Sequence, residues 1–148
     1  IALGVLAEVG IFLIARRLIS QFGVWNLLFV SIALTGLRWY VMAAFADTFM
    51  VIVLSQLIHA LSFGLTHAVS VHFIHQFLPK AYQSRGQAVY ISIAFGLGGA
   101  FGNYLAGQQW QQGTNAYETF VTAAVFAAIG ALSLLLCSRK EMESAKAA

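Results

Sequence analysis

The chain has 148 residues, of which 60% are apolar and only 9% are charged. A soluble domain carries about 25% charged residues, so a water-soluble fold of this size could not cover its surface. The near-continuous apolar runs argue for an all-α integral membrane protein rather than a barrel, and the single cysteine, Cys137, excludes an internal disulfide framework.

The chain opens on IALGVLAEVG, without a methionine and already inside an apolar run. No basic region and no small-residue cleavage site follow, so this is not a signal peptide. The expectation is a chain cut within a helix, with more protein upstream. A spanning helix needs about 20 predominantly apolar residues. The pattern predicts five transmembrane helices in one helical bundle covering residues 1–148, at about 1–19, 24–46, 49–78, 85–110 and 117–137, with 138–148 as a tail. The third is long enough to tilt. Cys137 then reads as a small apolar side chain near a helix end.

The connections alternate in charge. Arg16 and Arg17 flank the first, Lys80 and Arg85 the third, and Arg139, Lys140 and Lys146 lie in the tail. The second, around Asp47, and the fourth, residues 111–116, have no Lys or Arg. The basic side is the cytoplasmic one by the positive-inside rule, so the tail is expected in the cytoplasm of a multi-pass protein of the inner (plasma) membrane. Trp25, Trp110 and Tyr117 fall at predicted helix ends, as interfacial aromatics do. This asymmetry accounts for the net charge of +3, and no nucleic-acid partner is implied.

Arg38 is the one basic residue off that side. It lies inside LTGLRWYVMAAF, roughly 12 Å deep at about 1.5 Å per residue. Snorkelling to the outer headgroups would satisfy it. However, Ser31, Thr35 and Arg38 recur at helical spacing and form a polar stripe that looks into the protein. Glu8 lies near mid-membrane, where a carboxylate must be protonated, paired or hydrated. Arg38 is the opposite charge at comparable depth, so the expectation is that the two face each other or a shared water-filled cavity.

Ser55, His59, Ser62, Thr66 and Ser70 follow one face of the third helix, with His59 about halfway across and His67 two turns further on. Imidazole titrates near neutrality without special help. A neutral structural histidine bonded to a serine is the alternative, and the shared depth with Glu8 and Arg38 favours a functional one. His67, His72 and His75 are spaced H-x4-H-x2-H, but only His72 and His75 share a helix face, so no metal is expected. The fourth helix contains SIAFGLGGAFGNYLAG. Phe101 breaks a phosphate-loop pattern and no strand precedes it, so no nucleotide or other cofactor is implied. Gly98 and Gly102 form a small-xxx-small pair that lets helices approach closely. Asn103, on the face with Gly96, Gly99 and Gly107, is a substrate contact or an interhelical hydrogen bond. The fifth helix, almost wholly apolar after Thr122, is expected to be peripheral and lipid-facing.

Several motifs in order carry a resemblance: Ala7-Glu8-Val9-Gly10 and Leu37-Arg38-Trp39, then Gln56-Leu-Ile-His59-Ala-Leu-Ser-Phe63-Gly64-Leu-Thr-His67, Gly86-Gln87-Ala88 and Gly96-x-Gly-Gly-x-x-Gly102. Over nearly the whole chain the sequence resembles the second half of a major facilitator superfamily transporter. It is most similar to the proton-linked branch of phenylpropionate-permease-like proteins related to lactose permease. The resemblance implies that the five segments correspond to helices eight to twelve of a twelve-helix fold, with the N-terminal half as a missing partner. It also implies that Glu8, Arg38 and His59 match the Glu, Arg and His of a sugar- and proton-coupling network. Where that permease has a carboxylate one turn after its histidine, this chain has Ser62. The stretch from Arg16 to Gly23 is similar to the superfamily's helix two to three loop signature, without its aspartate.

The function expected is therefore secondary active transport by alternating access, as a proton symporter of a small organic solute, and not an enzyme activity. The partners are the solute, protons and the lipid bilayer. Glu8, Arg38, His59, Phe63, His67 and Asn103 are the candidate substrate-binding or proton-coupling residues. Phe63 and Tyr104 with Arg38 suit an aromatic carboxylate such as phenylpropionate, and the lactose-permease kinship suits a sugar or glycoside. The alternative is a non-transporting membrane scaffold or binding protein with a structural Glu8–Arg38 pair.

Overall fold

The computed structural model describes residues 2–144, and every regular element among them is helical. Helix α1 is Ala2–Phe22 and α2 is Val24–Phe45. Gly23 alone separates them, at φ 81 and ψ 164. This is a region that a side chain rarely tolerates, and it reverses the chain in one residue. The stretch from Arg16 is thus helix up to Phe22, not an open loop. Helix α3 is Phe49–Phe77. It ends because Pro79 has no N–H to continue the ladder, and the preceding Leu78 is extended at φ -98 and ψ 141. Helix α4 is Lys80–Gly113 and closes on Gln111, Gln112 and Gly113, all with positive φ. Helix α5 is Ala116–Leu134, and a short α6, Arg139–Ser144, follows. Cys137 lies beyond the end of α5 and is exposed.

Helices α2, α3, α4 and α5 are long and apolar enough to cross a membrane. Helix α1 has 21 residues but contains Glu8, Arg16 and Arg17, so it does not join that set by composition. Among the described residues, four helices qualify as spans by length and composition, beside an expectation of five transmembrane helices. Two of the helices widen locally into single π turns, Ala60–Gly64 in α3 and Ser92–Leu97 in α4. A π turn inserts one extra residue and resets the helix face, and such turns are frequent at functional sites.

Helix α2 is the hub, touching α1, α3, α5 and α6, and its contact with α5 is the most extensive in the bundle. Gly36 makes that contact close: its missing Cβ would sit 3.5 Å from the Ala124 carbonyl oxygen and 3.6 Å from the Ala127 Cβ. Small residues permit such approach where no hydrophobic force drives helices together in lipid. The expectation of a peripheral α5 therefore holds for one face only. Ala124 and Ala131 are buried, whereas Val125, Ile129 and Leu132 are exposed. Helix α4 is the edge element, with no fully buried residue. A Cβ at Gly96, Gly99, Gly102 or Gly107 would meet nothing within 4 Å, and the Gly98–Gly102 pair faces α5 across a hollow rather than in close contact. An apolar cluster of Ile19, Val24, Leu27, Leu28, Leu65 and Val69 closes the bundle at the α1–α2 turn.

The Gly36 contact leaves room for one methyl group and no more. Gly36→Ala should keep the unfolding midpoint of the purified protein, whereas Gly36→Leu should lower stability by about 1–3 kcal/mol through overpacking. Unfolding in detergent measures both.

Candidate functional site

Two hollows, of about 350 Å³ between α4 and α5 and about 640 Å³ between α2 and α5, have no charged side chain in their walls. A third, of about 660 Å³, lies among α2, α3, α4 and α5 and is lined by Arg38, His59 and His67 together with hydroxyls and aromatic rings. Chemistry belongs to this one.

Helix α2 contributes Thr35, Arg38 and Trp39 to the cavity. The stripe predicted along this face is real. Ser31 is fully buried, the Thr35 hydroxyl donates to the Ser31 carbonyl at 3.0 Å, and Arg38 is 8% exposed. The guanidinium lies 4.2 Å from the centroid of the Trp39 ring. That contact offers a cation–π attraction of about 2 kcal/mol or more where water is excluded, but it satisfies no N–H. The Nε atom of Arg38 is buried without a hydrogen-bond partner.

Helix α3 supplies the opposite wall through its π turn: His59 just before it, Ser62 and Phe63 within it, and Thr66 and His67 just after. The Thr66 hydroxyl donates to the Ser31 hydroxyl at 2.8 Å and also lies against the Ser62 carbonyl. This buried pair ties α3 to α2 directly beside the cavity. The rings then run in a ladder. His59 stacks on Phe63 at 5.1 Å, and Phe63 meets Phe95 edge-on at 5.6 Å. Phe95 meets His67 at 5.7 Å, and His67 stacks on Tyr90 at 5.8 Å. A His67 Nδ1 to Tyr90 hydroxyl contact of 3.4 Å closes the ladder. Phe95 belongs to the second π turn, so the two turns face one another through Phe63 and Phe95.

Glu8 does not reach Arg38. Its carboxylate meets His59 Nε2 at 3.2 Å, with side chains 20% and 30% exposed respectively. The reason is packing: α1 leans on α3 and its π turn more than on α2. Gly64 permits that approach, because a Cβ there would come within 3.3 Å of the Glu8 Cγ. Among the described residues, Arg38 has no carboxylate inside 4 Å. His59 spends Nε2 on Glu8, and its Nδ1 is buried without a partner. The structure therefore brings Arg38, His59, Phe63 and His67 to one cavity, with Glu8 attached behind His59. Asn103 lies on the exposed side of α4, outside it. Among the described residues, no three His, Cys, Asp or Glu side chains cluster closely enough to hold a metal ion.

Sequence pattern did not mark Trp39, Tyr90 and Phe95 as site residues. Trp39 adjoins Arg38 and is readable from that position. Tyr90 and Phe95 have no such signal, since their place depends on how α4 is rotated against α3.

Apolar spanning helices whose ionisable groups gather around one interior cavity define a multi-pass membrane protein. Residues 1–122 match the MFS_1 like family, and the chain belongs to that family, within the major facilitator superfamily. A "Maltose permease" of Geobacillus stearothermophilus is 28% identical over 131 residues, which cover 86% of this chain and 32% of that protein. The chain thus spans about a third of the length of the curated relative it matches. No solved structure matches it. By its name that relative is a permease, a transporter rather than an enzyme.

The observed pairing can be checked by double-mutant cycles on unfolding in detergent. Glu8→Gln with His59→Gln should show a coupling of about 0.5–3 kcal/mol, as for residues in contact. Glu8→Gln with Arg38→Gln should show a smaller one.

Proposed function

We propose that the chain is the solute-binding and proton-handling part of a secondary active transporter, a proton symporter of a small organic solute that works by alternating access. One observation carries the reading. Arg38 and His59 both line a cavity of about 660 Å³, and each keeps a buried nitrogen, Arg38 Nε and His59 Nδ1, without a hydrogen-bond partner among the described residues. A buried polar group without a partner costs about 1–3 kcal/mol, and more if charged. A solute that supplied the missing acceptors and donors would be held where the ladder of rings can stack against it.

The Glu8–His59 contact gives that cavity a way to sense protons. With one proton between them, the pair is a charge-assisted hydrogen bond or an ion pair. A proton on both removes the attraction and frees the histidine. Solute at Arg38 and His59 competes for the same imidazole, so occupancy and protonation bias each other. A bias of this kind shifts the conformational equilibrium only through differential affinity for the two states. Alternating access needs two repeats that rock about a midplane site. The N-terminal half of the same protein is the implied partner, in an inner membrane with the tail in the cytoplasm. Two solute classes fit. An aromatic carboxylate would fill the unpaired guanidinium and stack on Phe63 and Phe95. A sugar or glycoside accords with the name of the maltose permease relative.

Uptake by cells expressing the full reading frame that contains these residues tests the proposal. Glu8→Gln should reduce uphill accumulation roughly tenfold or more, the scale of a coupling free energy of about 1–3 kcal/mol, while solute exchange across the membrane persists. Intact uphill uptake removes Glu8 from coupling. Arg38→Lys should weaken solute binding, because an ammonium cannot reproduce the planar fork. If Glu8→Gln combined with Arg38→Gln left uptake and binding untouched, the charges would be structural, as in a scaffold.

A further inference from the structure

The end of the bundle away from Arg38 carries a device that transport chemistry does not use. The tail helix α6 is only six residues long, and an isolated helix of that length does not hold in water. It begins on a local cap, the Ser138 hydroxyl accepting the Glu141 N–H at 3.4 Å. It then turns back over the start of α2 and is held there at three points. The Glu143 carboxylate accepts the Trp25 backbone N–H at 3.1 Å. The Arg139 guanidinium lies 5.6 Å from the centroid of the Trp25 ring. Met142 packs on the apolar cluster that contains Val24 and Val69.

The seat for Glu143 is built into the turn. No side chain of α2's own sequence caps its N-terminus, where the free N–H groups and the helix dipole favour a negative charge. The residue at the cap position is Gly23, buried and at positive φ. A Cβ on Gly23 would collide with the Glu143 carboxylate. The same missing side chain therefore makes the turn and admits the carboxylate, which arrives from 118 residues away in sequence.

We propose that α6 is a conformational latch. Glu143, seated on the Trp25 N–H in the first turn of α2, holds α6 across the cluster of Ile19, Val24, Leu27, Leu28, Leu65 and Val69, and its release opens that end of the bundle. The helix carries both terminals of the latch, since α5 feeds into it and α2 receives it. One carboxylate, one ring contact and one methionine hold a segment whose remaining surface is exposed. That is enough to bias an opening and too little to prevent it.

The test uses the complete protein in detergent, with Cys137 and any other native cysteine replaced by serine. Val69→Cys reports on the cluster, because Val69 is fully buried beneath the latch. Ser55→Cys, buried in the first half of α3, reports on general loosening. Glu143→Gln keeps the shape of the side chain and removes its charge. It should speed N-ethylmaleimide labelling of Val69→Cys by roughly two- to thirtyfold, the range expected for loss of a helix N-cap, and leave Ser55→Cys unchanged. Gly23→Ala should speed the same reaction by more than Glu143→Gln does, because it strains the turn as well as displacing the carboxylate, and Glu143→Gln should add less on that background than it does alone. Labelling of Val69→Cys that is unchanged, slowed, or accelerated in step with Ser55→Cys overturns the latch, as does full additivity of the two substitutions. None of these outcomes depends on what the cavity binds.

Discussion

A carboxylate drawn into a bundle of apolar helices needs a partner, and the arrangement of α1 against α3 supplies one to Glu8. Hydrocarbon offers no hydrogen bonds, so every polar group within it must find them in the protein. The Glu8–His59 contact does this across two helices, and Gly64 allows the backbones close enough for it to form. Once α1 is fixed on α3, the imidazole is held by one nitrogen, and the π turn that follows it has a fixed position. The walls of the cavity are set from that point onward.

The same constraint explains why hydroxyls rather than charges join α3 to α2. Ser31, Thr35, Ser62 and Thr66 direct their hydrogen bonds to backbone carbonyls or to one another. Of these the Thr66–Ser31 bond crosses from α3 to α2 and the other three return to their own helix backbone, and none brings a charge into the low-dielectric interior. Arg38 stands apart from this economy. It is buried and rests on an aromatic face, and among the described residues no carboxylate pairs with it. Arg38 and His59, each with a buried nitrogen unpaired among the described residues, both line one cavity. In a membrane protein such groups are retained where something else completes them.

The two ends of the bundle differ for physical reasons that fit its family. Around the α1–α2 turn, aliphatic side chains interlock and α6 is drawn over them. Around Arg38 the space is open, and its walls carry rings and polar atoms. Helix α4, with one π turn and glycines that make no close contact and no buried residue, has the least packing to hold it. Of the elements that line the cavity, it is the one with the fewest restraints against movement.

How much is legible in the sequence follows from which forces act locally. The apolar runs, the proline after α3 and the glycine between α1 and α2 act through the backbone or through transfer into lipid. These are properties of a short stretch of chain, so the amino-acid pattern by itself determines an all-helical membrane fold. The polar stripe of α2 is legible for the same reason, since 3.6-residue periodicity alone places Ser31, Thr35 and Arg38 together. Pairing between helices is not. Depth along the membrane offers Arg38 as the partner of Glu8, but two residues at one depth meet only if their helices are neighbours turned the right way. Close approach at Gly64 and the extra residue of the π turn settle that in favour of His59. Tyr90 and Phe95 enter the cavity, and Asn103 stays outside it, by the rotation of α4. Glu143 reaches α2 because a tail helix of six residues folds back onto a turn without a side chain. Each of these depends on the packing of whole helices, which no single stretch of sequence contains.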